Sequence, residues 1–391
     1  MKNIVILAAF LVLSNSFAQT TTDTTKTTQL QQNAAQRILS NAFGKKVTIG
    51  AYGEINYNQP EGDNGELDVQ RLVLLLGYKF NDRVQFVSEI EIEHVEEIFV
   101  EQAFVNYAIG DNISLRGGLM LVPMGIVNEY HEPTTRNGVE RPAVDNAIVP
   151  TTWREIGVGV TGRFPEASLG YQVYVFNGFK STTSDGDGGL SGFLSGSNGL
   201  RGGRQKGIQS TVDSPTLSVK ADYYAIPGLR LGLSGYFGKT QAEDDIEALE
   251  GANVGIAMIG FDARYAYKRF NARGQFIYAS LNDTDAYNTA TGKDLGSALQ
   301  GFYIEGGYNL LSLASEQKLI AFARYENYDT HAQTEGALER NDAYNRTDIT
   351  AGLDYHIAPG VVVKGDYQIR DNKVENGDVA NRLNFGIGVW F

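Results

Sequence analysis

From Val47 to the C-terminus, large apolar residues recur at every second position. In VTIGAYGEINY, Val47, Ile49, Ala51, Ile55 and Tyr57 alternate with Thr48, Gly50, Glu54 and Asn56. The closing stretch LNFGIGVWF places Leu383, Phe385, Ile387, Val389 and Phe391 on one parity and Asn384, Gly386, Gly388 and Trp390 on the other. A period of two marks a strand whose two faces meet different surroundings. The pattern returns over 229–237, 261–267, 349–355 and 361–369. Strands are expected to begin near Val47, Asp68, Val84, Ile98, Ile113, Ile156, Ser168, Thr216, Leu229, Gly255, Asn271, Leu299, Leu319, Thr347, Val361 and Val379. That is about sixteen strands, most of about 9–11 residues, the length a tilted strand needs to cross a bilayer.

The connections carry a second regularity. After the second strand, short turns (FNDR, IGDN, FPEA, IPG, YKR, SLASEQ, APG) alternate with long segments at 123–152, 180–214, 240–254, 282–298 and 329–345. A soluble sandwich has no reason to gather its short turns at one end. An outer-membrane barrel has short periplasmic turns, longer extracellular loops and an even strand count. The fold class implied is all-β: a transmembrane antiparallel up-and-down β-barrel of about 16 strands, with both chain ends at the periplasmic rim.

The two parities agree with that reading. One is aliphatic or aromatic; the other carries Glu89, Glu91, Glu93, Arg116, Lys220, Asp222, Arg230, Asp262, Arg264, Arg273, Glu305, Arg324, Glu326, Asp348, Asp354, Lys364, Asp366, Arg370 and Arg382. A dry core would not tolerate so many charges. In a barrel of this size they line a water-filled lumen while the apolar parity meets lipid. Tyr78, Tyr107, Tyr265, Tyr267 and Tyr355 fall at strand ends, as an interfacial girdle requires. Two strands fit less well. RLVLLLGY, 71–78, is apolar on both parities, so its inner face is expected to pack against an inserted loop. VEQAFVNY, 100–107, shows no clear parity, and its facing stays open. The apolar last strand has its own logic: in a closed barrel it pairs with the first, so no edge remains.

Composition narrows the setting. The chain has no Cys, so it is no disulfide-stapled scaffold, and its net charge of −13 argues against a nucleic-acid partner. Residues 1–19 open with Lys2, an apolar run IVILAAFLVL and small residues near Ala18 and Gln19, the pattern of a cleaved secretory signal. Residues 20–45 are a polar segment: TTTDTTKTT is low-complexity, and Leu30, Ala34, Ile38 and Ala42 at i, i+4 spacing predict a short amphipathic helix. That helix could extend into the periplasm, plug the pore in part, or serve only as a tether. Residues 46–391 make the barrel domain.

The stretch LMLVPMGIVNEYHEPTTRNGVERPAVDNAIVPTTWREIGVGVTG, 119–162, with SEIEIE and VEQAFVNY before it, resembles the Bacteroidetes branch of the phosphate-selective porin O and P family. The likeness lies in the series PxG…NExHxP…NGVxRP…PTTW and is strongest over 84–162. It implies an outer-membrane porin for passive diffusion of small hydrophilic solutes and ions, among them phosphate or other anions. It also implies a third loop folded into the barrel as the constriction, and an alternating C-terminal strand ending on Phe391 as the signal read by the barrel assembly machinery. Porins of this architecture commonly trimerise, an analogy, since no trimer interface is identifiable in the sequence.

The loop's chemistry fits a constriction. At about 30 residues it is long for a connection. Pro123, Pro133, Pro142 and Pro150 stiffen it, and Glu129, His131, Glu132, Arg136, Glu140, Arg141 and Asp145 bring charge to one segment. Such charges either ring a narrowing and set ion selectivity or brace the loop to the wall through ion pairs. The lumen parity mixes arginines with carboxylates, with no clean arginine ladder, so a general porin stands beside an anion-selective one.

Other signals are weaker. SDGDGG, 184–189, resembles a calcium loop but lacks its twelfth-position Glu. The Gly-rich 189–207 lacks the strand-then-helix context of a phosphate cradle. His94, His131, His331 and His356 show no metal-ligand spacing. No Ser–His or Asp–His pairing points to a surface hydrolase, so no catalytic residue, cofactor or metal is expected. The alternative to a pore is a non-conducting barrel serving as adhesin or anchor.

Overall fold

In the computed structural model, residues 32–41, 46–243, 246–374 and 379–391 are described. The expected leader, its cleavage point, the Thr-rich stretch, Leu30 and Ala42 lie outside them. The chain forms a short helix α1 (Ala34–Asn41), then β1 (Val47–Pro60), β2 (Glu66–Lys79), β3 (Val84–Glu93), β4 (Glu97–Gly110), β5 (Ile113–Leu121), the helical turn α2 (Val144–Ala147), β6 (Arg154–Phe164) and β7 (Leu169–Phe176). A small hairpin β8 (Thr182–Ser184) and β9 (Leu190–Gly192) precedes β10 (Thr216–Tyr223), β11 (Leu229–Lys239), β12 (Gly255–Tyr267) and β13 (Phe270–Asn282). Helix α3 (Thr284–Thr291) leads to β14 (Ala298–Asn309), β15 (Lys318–Gln333), β16 (Asn345–Ala358), β17 (Val361–Asn372) and β18 (Arg382–Trp390).

All strands except β8 and β9 join one closed antiparallel barrel of sixteen, each beside its neighbour in sequence. Closure is made by β1 and β18, with Tyr52 opposite Trp390 and Pro60 opposite Arg382. Ala51 N–H donates to the Phe391 carbonyl at 3.0 Å, and Phe391 N–H to Ala51 at 2.9 Å. The apolar terminal strand therefore does what its pattern demands.

The parities separate as expected. On β2, Leu72, Leu74, Leu76 and Tyr78 are exposed, whereas Arg71, Val73 and Leu75 are buried inside. Monomers in water rarely expose apolar patches beyond a few hundred Å², and here an apolar belt runs round the whole wall. Tyr78, Tyr107, Tyr265, Tyr267 and Tyr355 are all exposed next to the short turns, one girdle at one rim.

Several strands outrun the expected length, β15 reaching 16 residues. The connection after β3 is no long loop: it is three residues, 94–96, with His94 and Val95 at φ of 52° and 67°. The unclear parity of 100–107 has a physical cause. A bulge sets Glu89 opposite Gln102 but Ile90 opposite Val100, leaving Glu101 as the extra residue. Alternation slips by one there, so Glu101 and Phe104 both point inward and are buried.

The inner apolar face of β2 packs against a helix rather than a loop. Ala34, Ala35 and Ile38 of α1 join Val73, Leu75, Val87 and Tyr52 in one buried cluster. A Cβ on Gly77 would lie 2.3 Å from Ile38 Cγ2, which places α1 inside the barrel near the short-turn end. Gln85 donates to the Leu39 carbonyl at 3.4 Å and Arg37 stacks on Trp390 at 4.8 Å. α1 therefore stands in the lumen against the inner wall. Gly77→Val should expel α1 while leaving the barrel intact. The expected result is faster tryptic cleavage at Arg37 with unchanged heat-modifiable migration on gels.

Candidate functional site

The long third loop, 122–153, leaves β5 and returns to β6 through a pinned neck. Asn128 Nδ2 donates to the carbonyls of Val122 and Trp153 at 2.7 and 2.9 Å, and its Oδ1 accepts from Trp153 N–H at 2.7 Å. Irregular backbone away from water must still pair its N–H and C=O groups. Here the barrel's inward side chains supply the partners. Ile126 N–H donates to Gln275 at 2.7 Å, Val139 N–H to Asp366 at 2.7 Å, Gly138 N–H to Asp354 at 3.2 Å and Val144 N–H to Glu326 at 3.3 Å. In the other sense, Lys220 donates to the Gly125 carbonyl at 2.7 Å, Lys364 to those of Arg136 and Gly138 at 2.8 Å, and Arg71 to that of His131 at 2.6 Å. These partners sit on β2, β10, β13, β15, β16 and β17. Only a segment crossing the bore can touch so many parts of a closed wall.

Ion pairs reinforce the anchoring. Glu54 bridges Arg71 at 2.7 Å and Arg136 at 2.6 Å. Glu129 meets Lys220 at 2.7 Å. Glu305 joins Arg273 at 2.8 Å and Arg324 at 3.2 Å, and Arg324 reaches Glu326 at 2.8 Å. The predicted constriction residues thus divide. Glu129, His131, Arg136 and Asp145 are buried braces, Asp145 accepting from Gln275 at 2.8 Å. Glu140 and Arg141 line an open chamber; Arg141 has no hydrogen bond or ion pair among the described residues.

The predicted lumen residues divide as well. Glu89, Asp262, Arg324, Glu326 and Asp366 face inward, but the loop buries them, so they do not meet open water as expected. Arg116 bonds Asn106 at 2.8 Å on the wall. Glu91, Glu93 and Arg370 border an outer chamber of about 490 Å³. Arg230, Arg264 and Arg273 border an inner chamber of about 290 Å³. Arg136 borders both.

The outer chamber has nine basic residues in its lining (Arg136, Arg141, Arg154, Arg201, Arg204, Lys206, Arg346, Arg370, Arg382) against five acidic (Glu54, Glu91, Glu93, Glu140, Asp348). The inner chamber sets Arg136, Arg230, Arg264, Arg273 and Lys318 against Glu305 alone. Arg154, Arg201, Arg204, Lys206 and Arg346 were missed from the sequence. Three of them lie in the Gly-rich stretch 189–207, whose only signal was its run of cations. That stretch folds onto the third loop: Arg201 donates to the Thr151 carbonyl at 2.5 Å, and Arg204 to those of Pro150, Thr151 and Thr152 at 3.1 to 3.2 Å. Burial first, then the Arg201 and Arg154 guanidiniums beside it, push Arg204 down to about 9. Lys206 is lowered by burial and by Arg204 and Arg154. Such crowding marks a positive potential that a bound anion would relieve.

Asp185 of SDGDGG accepts from its own loop, Asp187 N–H at 2.9 Å and Gly189 N–H at 2.8 Å, closing the β8–β9 turn. The fold carries His131 to Glu89 and Glu101, residues that no local spacing joins.

The sequence model of the family described as phosphate-selective porin O and P matches residues 47–381. The chain belongs to that family. A protein of Aquifex aeolicus (strain VF5), described as uncharacterized, is 34% identical to this porin over 350 residues, covering 84% of this chain and 77% of the relative. Among solved structures, the barrel is similar to an anion-selective porin from Comamonas acidovorans, with a TM-score of 0.59, 12% identity, and 88% and 99% of the two chains covered. The outer-membrane channel DcaP of Acinetobacter baumannii is similar at a TM-score of 0.59 and 12% identity, covering 88% of this chain and 97% of its own. A trimer form of OmpT of Vibrio cholerae follows at 0.53 and 11%, covering 88% and 99%. This porin is a bacterial outer-membrane channel, its short turns at the periplasmic rim; family and fold are those of a channel rather than an enzyme.

Glu54 joins two buried arginines, one on the wall and one in the loop. Removing one partner of a buried ion pair costs about 3 kcal/mol or more. Glu54→Gln should lower the unfolding midpoint, read by loss of heat-modifiable migration on a temperature series, and should add open-channel noise as the loop loosens.

Proposed function

We propose that this porin passes small hydrophilic anions by passive diffusion, with the two basic chambers as successive stations along the bore. One observation carries the reading: nine cations against five acids line the outer chamber of a chain whose net charge is −13. Unequal charge in a confined aqueous space concentrates counter-ions and sets selectivity. Arginine forks suit phosphate and carboxylate oxygens, so phosphate, which the family's description names, is among the solutes. The Comamonas porin's description as anion-selective points the same way.

In this reading the third loop is the constriction. Arg136, shared by both chambers, stands at the narrowing, while Glu140 and Arg141 face its outer side. The trimeric Vibrio neighbour supports a homotrimer, which molar mass in detergent would test. Phe391 is exposed at the closing seam and is the candidate assembly signal. The second reading, a non-conducting barrel, is favoured by the loop and α1 both standing in the bore.

Conductance separates the two. Planar bilayers holding the purified protein should show channels whose reversal potential in a KCl gradient is of anionic sign and whose current millimolar phosphate blocks. Arg141, Lys206 and Arg370 make no side-chain hydrogen bond among the described residues, so changing them spares the fold. The triple substitution Arg141→Gln, Lys206→Gln, Arg370→Gln should cut the anion-to-cation permeability ratio at least twofold. Silent bilayers would favour the second reading; a cationic reversal potential, or an unmoved ratio in the triple variant, would refute the anion path.

A further inference from the structure

We propose that Glu89, Glu101 and His131 form a site for one divalent transition-metal ion, which staples the third loop to the barrel wall. Each residue offers one ligand atom, and these atoms lie within 4.8 Å of one another. Glu89 and Glu101 are 0% exposed and His131 1%. The residues come from β3, from the bulge of β4 and from the loop, so the site exists only in the folded barrel.

The hydrogen bonds leave the cluster short of positive charge. Glu89 Oε1, Glu101 Oε1 and Glu132 Oε2 are buried and have no hydrogen-bond partner among the described residues. Glu91 beside them is unpartnered at both oxygens among the described residues, though Arg71 approaches it at 3.7 Å. Buried carboxylate oxygens left unpaired are costly, and a bound cation is one of the few remedies; the second oxygens of Glu89 and Glu101 accept from Gln102 and Tyr52. Arg71 commits its Nε to Glu54 and its Nη2 to the His131 carbonyl, which leaves Nη1 as its one nitrogen without a hydrogen bond among the described residues, turned to Glu91.

The imidazole is set for ligation. His131 Nδ1 lies 3.2 Å from the Asn128 carbonyl, where its N–H would donate. That bond to a backbone carbonyl fixes the tautomer of many metal-bound histidines. It leaves Nε2 with a lone pair, 3.3 Å from Glu101 Oε2. The Tyr52 hydroxyl is 2.9 Å from Nε2 and donates to Glu101 Oε2 at 3.1 Å. Two lone-pair atoms facing at 3.3 Å call for a cation between them, either a second imidazole proton or a metal. One nitrogen and carboxylate oxygens without thiolate disfavour a soft ion such as Cu(I); the imidazole favours Zn²⁺ over Ca²⁺ or Mg²⁺, and the carboxylates also admit Mn²⁺.

The full chain, folded in detergent and stripped with EDTA, is titrated with ZnCl₂ and with MnCl₂ by calorimetry, and bound metal is counted by mass spectrometry. One ion per chain is expected. Glu89→Gln and His131→Gln should each weaken binding at least tenfold, with folding checked by heat-modifiable migration. His94→Ala, at the exposed rim beside Asp68, should bind as the parent does. X-ray absorption of the Zn²⁺-loaded parent, which needs no variant, should show imidazole scattering in the first shell. Absence of saturable binding, equal binding by the Glu89 and His131 variants, or an oxygen-only shell would overturn the site and leave the extra imidazole proton in its place.

Discussion

Hydrocarbon offers a backbone N–H nothing to bond to, and every other feature of this porin follows from that. A sheet in a bilayer must close, because an open edge would leave a row of unpaired groups. Closure here falls on β1 and β18 and is carried to the final residue, where Phe391 and Ala51 exchange two backbone bonds. Once the wall is closed, alternation sorts side chains without further choice. The leucines of β2 meet lipid and Arg71 turns inward. The bulge at Glu101 keeps the rule while shifting its phase, so two charged neighbouring strands present Glu89, Glu91 and Glu101 to the same small space.

The same requirement operates inside the bore. The third loop has no ladder, yet its amides are distant from bulk water. Asp354, Asp366, Glu326 and Gln275 accept from its N–H groups, and Lys220, Lys364 and Arg71 donate to its carbonyls. Charged wall residues, which alternation forces to the inside, thus become the partners that let an irregular segment cross a barrel. The loop in turn buries them, and a charge buried with partners is lost to the pore.

That division leaves an excess of cations on the chamber walls. Carboxylates are efficient acceptors for backbone amides and for guanidinium forks, and many are used up between loop and wall. Arginines contribute more donors than the loop's carbonyls consume, and their free ends reach the chambers. The result is basic chambers in an acidic protein.

Strand positions, closure, the inward charged parity and the girdle were legible in the sequence, since a period of two and alternating connection lengths are local properties that a bilayer reads directly. Every expected strand start lies within three residues of the observed one. Facing stayed open where periodicity itself failed, at the Glu101 bulge. The destination of each inward charge was not legible. Whether Glu89, Glu326 or Arg370 meets water depends on where residues 122–153 and 189–207 settle, and those paths are set by contacts between distant residues, Arg201 with Thr151 at 50 positions and Val139 with Asp366 at 227. The meeting of His131 with Glu89 and Glu101 is of the same kind: the barrel's curvature, which no local pattern encodes, brings them together.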